Sequence, residues 1–106
     1  MISYDDAEKA LNYLKATDEE AARAKALYQG LDEAKKTVLA CEFMKAGGSA
    51  SERNQIALSS GEYLLHLEKM DNALLDFEII KNRRKSAELQ IEMWRSVNSN
   101  QRKGNI

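Results

Sequence analysis

Apolar positions recur at helical spacing almost from the first residue. Tyr4, Ala7, Leu11 and Leu14 are spaced 3, 4 and 3 and so share one face of a helix over about 5–15. Thr17-Asp18-Glu19-Glu20 then has the form of a capping box, in which a threonine hydroxyl accepts from an amide three residues on and a glutamate reaches back. The pattern predicts a break there and a second helix over about 18–45, where Ala24, Leu27, Leu31, Ala34, Val38 and Cys41 alternate at 3 and 4 like a coiled-coil seam. Gly47-Gly48 supplies a left-handed C-terminal cap, and Ser49 with Glu52 stands in capping-box spacing for the next helix.

Beyond that turn the apolar pattern stays in phase through Ser59-Ser60-Gly61, which predicts one long continuous helix over about 52–96. Its seam reads Ile56, Ser60, Tyr63, Leu67, Met70, Leu74 and Phe77, then slips by three residues, a stammer, to Ile80, Arg84, Ala87, Ile91 and Trp94. An antiparallel hairpin about Gly47-Gly48 pairs Lys45 with Glu52, so paired numbers add to 97 and Thr17 falls opposite Ile80. The break in one arm and the phase slip in the other then coincide. The expected fold is all-α: an antiparallel, coiled-coil-like helical hairpin with the continuous helix packed against the broken arm, in one helical domain over 1–96. A stop at Ser59-Ser60-Gly61 would instead shorten the third helix, give a compact four-helix monomer and take away the main support for a dimer. Residues 97–106 are polar and aperiodic and read as a disordered tail.

Neighbouring pairs such as Leu64-Leu65, Leu74-Leu75 and Ile79-Ile80 make an apolar stripe wider than two helices cover. Self-association is therefore expected, most simply as a two-fold dimer whose hairpins form a helical bundle, with a tetramer left open. The residues expected on the core or assembly seam are Leu27, Leu31, Val38, Leu67, Leu74 and Ile80.

Composition narrows the choice of function. A chain of 106 residues is one domain at most, and the absence of proline fits long helices. No stretch approaches the roughly 18 apolar residues of a membrane span. Asp5 and Asp6 stand where a signal peptide would carry lysines, so a cytoplasmic protein with no membrane partner is expected. The net charge of -1 hides an asymmetry: residues 1–80 hold 9 basic and 15 acidic side chains, and residues 81–106 hold 7 basic and 2 acidic. Lys81, Arg83, Lys85, Arg95, Arg102 and Lys103 are candidate phosphate contacts, with Trp94 or Arg95 available to stack on an unpaired base. The same cations also suit a helix C-terminus, where they oppose the macrodipole.

Candidate chemistry is sparse. His66, the only histidine, has no nucleophile that spacing places beside it and reads as a helix-surface or bundle-edge residue. Cys41, the only cysteine, permits neither an internal disulfide nor a zinc site and reads as a small packed side chain. Glu62, Glu68, Asp71, Asp76 and Glu78 lack the Glu-x-x-His pairs of a bundle metal centre and read as solvated acids. Gly47-Gly48 lacks the following Lys-Ser/Thr of a phosphate loop. No cofactor, no metal and no enzymatic activity are expected.

Ser51-Glu52-Arg53, Glu62-Tyr63, His66-Leu67 and Ile91-Glu92-Met93-Trp94-Arg95-Ser96, over roughly residues 49–96, resemble small helical proteins encoded in bacteriophage and prophage early regions near recombination and replication genes. The resemblance implies an accessory role and carries over no catalytic residue. The expectation is a non-enzymatic, self-associating helical protein that binds another macromolecule, a host or phage protein of DNA metabolism. The alternative is direct nucleic-acid binding through the basic C-terminal end.

Overall fold

The computed structural model describes residues 2–104, as three helices: α1 (Tyr4–Lys45), α2 (Ala50–Leu58) and α3 (Gly61–Gly104). The fold is all-α, as the spacing predicts, and the described residues contain no strand. The interruption, however, lies in the other arm.

Residues 5–15 and 18–45, expected as two helices, are one unbroken α1 of 42 residues. The capping box is at its start. The Ser3 amide and hydroxyl each donate to the Asp6 carboxylate at 3.0 Å, and the Asp6 amide donates to Ser3 Oγ at 3.2 Å. These bonds, the one from the Ser3 amide foremost, hold the Asp6 carboxyl below its ordinary value. Thr17 caps nothing: its hydroxyl donates to the Tyr13 carbonyl at 2.8 Å, the back-bond that a threonine makes inside a helix.

The turn after α1 follows its sequence. Gly48 has φ 104°, a conformation in which a side chain is strained, and a Cβ there would also displace the Glu52 carboxylate. Ser49 caps α2, accepting from the Glu52 amide at 3.2 Å while its hydroxyl donates to the Glu52 carboxylate.

The helix expected to be continuous over 52–96 is divided at Ser59-Ser60. The Ser60 amide closes the last turn of α2 on the Ala57 carbonyl, and Ser60 Oγ accepts from the Tyr63 amide at 3.2 Å as the cap of α3. One serine ends a helix and starts the next, so the apolar phase does not carry through. Ala57 is fully buried while Ile56 is 50% exposed. At the other end α3 continues past Ser96 to Gly104, so residues 97–104 of the expected tail are helical; residues 105–106 lie outside the described ones. Val97 and Asn98 are partly buried and line a groove with Ile2, Ser3, Tyr4 and Trp94, which gives this polar stretch a packing partner.

The sequence reading places 1–96 in one domain; packing groups the chain as two compact units, Met1–Ala22 with Glu78–Ile106, and Arg23–Phe77. In the first, Ala7, Ala10, Leu14, Thr17 and Ala21 of α1 form the buried or partly buried line, with Ile80, Arg84, Ala87, Ile91 and Trp94 of α3. Tyr4 meets Trp94 edge-on, ring centroids 5.7 Å apart. In the second, Ala24, Tyr28, Leu31, Lys35, Val38 and Glu42 form the line on α1, and Tyr63, His66, Met70, Ala73 and Phe77 the line on α3. Tyr28 stacks on Phe77 at 6.3 Å. In each unit α1 and α3 run antiparallel; the contacting pairs Leu31 with His66 and Tyr4 with Trp94 add to 97 and 98, close to the expected register, whereas Tyr28 with Phe77 adds to 105 and Thr17 meets Arg84 rather than Ile80.

These lines keep alternating spacings of 3 and 4 from Ala7 to Glu42 and from Tyr63 to Trp94. The expected phase slip at Phe77-Ile80 is therefore absent. His66 and Ala73 hold the seam where Leu67 and Leu74 were expected, and with them the heptad needs no correction.

Ala73→Leu, which adds bulk at a seam position 5% exposed, is expected to lower stability by about 1–3 kcal/mol in urea unfolding. Leu75→Ala, on the same helix but 58% exposed, should change it by no more than about 0.5 kcal/mol.

Candidate functional site

Two polar side chains interrupt the seam of α3, and both reach across to α1. The Arg84 guanidinium donates to the Leu14 carbonyl at 2.8 Å and to Thr17 Oγ1 at 2.7 Å, and forms a 2.6 Å ion pair with Asp18. Its fork thus takes a carbonyl, a hydroxyl and a carboxylate from one turn of α1. His66, expected at a helix surface or bundle edge, is buried, and its Nε2 lies 2.7 Å from the Leu31 carbonyl. The carbonyl can only accept, so this nitrogen carries the proton. The contact ties the only histidine into packing and leaves Nε2 engaged.

Small residues fill much of the seam, and many large apolar ones therefore face outward. Ala7, Ala10, Ala57, Ala73 and Ala87 are buried, while Leu64, Leu65, Leu75, Ile79, Leu89 and Met93 of α3 are 40–58% exposed. Of the expected seam residues, Ile80 is buried, and Leu31, Val38, Leu67 and Leu74 are partly buried. Leu27 is 58% exposed, because Tyr28, stacked on Phe77, takes the seam position beside it. The signal for this choice lay in the alanines, whose regular spacing is harder to see than that of the leucines.

Lys81, Arg83, Lys85, Arg95, Arg102 and Lys103 are all exposed, whereas Arg84, the other cation of that run, is turned inward. The basic segment lies in the same unit as the acidic start of the chain. Residues 1–22 and 78–106 together carry nine basic and nine acidic side chains, so the positive end does not stand as an isolated charge. Trp94 is partly buried with Tyr4 against it, so its ring is already in use within the unit.

Cys41 is exposed rather than packed in the seam, because Glu42 takes the buried position beside it. Glu42 pairs with Lys45 at 3.4 Å. Glu62, Glu68, Asp71 and Asp76 are exposed and Glu78 is partly buried. Among the described residues no group of His, Cys, Asp and Glu is placed to hold a metal, and no helix is long and apolar enough to cross a membrane.

Arg84→Ala removes three cross-helix bonds and should cost about 1–3 kcal/mol, read as a lower melting temperature. Asp18→Ala should cost under about 1 kcal/mol, because its side chain is 68% exposed. No protein-family model, no curated protein and no solved structure matches the chain.

Proposed function

We propose that this protein is a non-enzymatic helical module that self-associates and binds another macromolecule, an accessory role that fits a phage or prophage protein acting on proteins of DNA metabolism. The observation that carries the reading is the division between a seam rich in alanine and an outer surface rich in leucine. A seam built to be covered by the same chain would bury its largest apolar groups first. Here Leu27, Leu75, Leu89 and Met93 are each more than half exposed. Large apolar groups exposed in such number in each unit support the reading that another chain covers them.

Sedimentation equilibrium tests self-association. The wild-type protein is expected to run as a dimer or larger at concentrations of about 10–100 μM, and Leu89→Glu with Met93→Glu should shift it to monomer with its helix content kept. A wild-type monomer throughout that range removes this part of the reading.

Direct nucleic-acid contact is the second reading, supported by the exposure of all six candidate cations. The equal number of acids in their unit weighs against it. Anisotropy of labelled single-stranded and duplex DNA decides: contact through these residues requires binding that falls steeply with salt and weakens in Arg83→Gln with Lys85→Gln.

A further inference from the structure

On α3, within the Arg23–Phe77 unit, Leu64, Glu68, Asp71 and Leu75 fall on one line at spacings of 4, 3 and 4. All four are exposed, Leu64 by 53% and Leu75 by 58%. Leu65 borders the line on one side and Leu67 on the other, at helical angles that keep all six within half the circumference. The face therefore offers apolar anchors at both ends and two carboxylates between them. Glu68 and Asp71 make no ion pair among the described residues.

This pattern limits what can cover the face. A second copy laid antiparallel on it, leucine against leucine, puts Glu68 opposite the partner's Asp71, and a parallel copy sets each acid near itself. Either arrangement brings like charges together over an apolar contact, where water is partly excluded and the repulsion grows. A helix with leucine-like anchors at the ends and cations between meets both features at once. Helix-on-helix docking reads residues at steps of 3 and 4 along one face, the steps that separate Leu64, Glu68, Asp71 and Leu75.

We propose that this face of α3 docks a basic amphipathic helix of a partner protein, its apolar residues on Leu64 and Leu75 and its cations on Glu68 and Asp71. The inference rests on the reading of the chain as a protein-binding module and names the partner's chemistry.

The probe is a labelled, alanine-based helical peptide with leucine, lysine, lysine and leucine at the same spacing, beside a twin carrying glutamate for lysine. Anisotropy at low salt should show saturable binding of the lysine peptide to the full chain, about tenfold tighter than the glutamate peptide. Glu68→Lys with Asp71→Lys, both exposed positions whose helix content is checked by circular dichroism, should reverse that order. No saturable binding of the lysine peptide, or equal affinity for the two peptides in both proteins, overturns the proposal. Sedimentation of the same samples keeps the two readings apart. Self-association that is lost in the double charge reversal assigns the face to a second copy and overturns the proposal alone. A monomer that binds neither peptide removes the wider reading as well.

Discussion

The close packing of helices through small side chains is the constraint on which the rest depends. A methyl group fills little space, so the helices of each unit can approach closely where Ala7, Ala10, Ala73 and Ala87 are buried, between larger seam residues such as Leu14, Leu31, Tyr63 and Ile80. Leu64, Leu65, Leu75, Leu89 and Met93 stand at flanking and outer positions. Each helix then presents apolar area on more than one side, and the surplus faces water. The same packing that holds each pair of helices thus creates the surface from which a binding role is inferred.

The alanine positions of the seam are weakly selective for register, because one methyl group is much like the next. Polar side chains supply the missing selectivity. Arg84 satisfies its donors only where Leu14, Thr17 and Asp18 present a carbonyl, a hydroxyl and a carboxylate together, and His66 only where the Leu31 carbonyl is within reach. A slip of one heptad would leave a partly buried guanidinium and a buried imidazole without these partners, at a cost larger than the packing gain of any one alanine. One such group sits in each unit, so each pairing has its own register device.

Charge follows a similar logic. Viewed along the chain, the last quarter is basic and invites a polyanion. Folding brings that segment into one unit with the acidic first 22 residues, and the unit as a whole is balanced. The Arg23–Phe77 unit is nearly balanced as well, with seven basic and eight acidic side chains, yet Glu68 and Asp71 of α3 make no ion pair among the described residues and remain exposed on an apolar face. Local surroundings, rather than the sum over a segment, decide which charges are available to a partner.

Helical class, the Gly47-Gly48 turn, the Ser49 cap and the antiparallel sense of the pairing were all legible in the residues, because each rests on local chemistry or on a period that needs no knowledge of neighbours. The positions of the breaks were not. Thr17 and Ser60 carry similar hydroxyls, yet the first bonds back into its own helix while the second caps a new one, and only the surrounding packing separates the two outcomes. The candidate site divides the same way. Exposed leucines and cations were visible as residue types, but their place on the surface depended on whether leucine or alanine holds the seam. The sequence by itself determined that the chain is helical, where it turns and how its arms pair. Only the tertiary structure decided which face of each helix is buried, because that choice is made by the fit between two helices and is a property of neither alone.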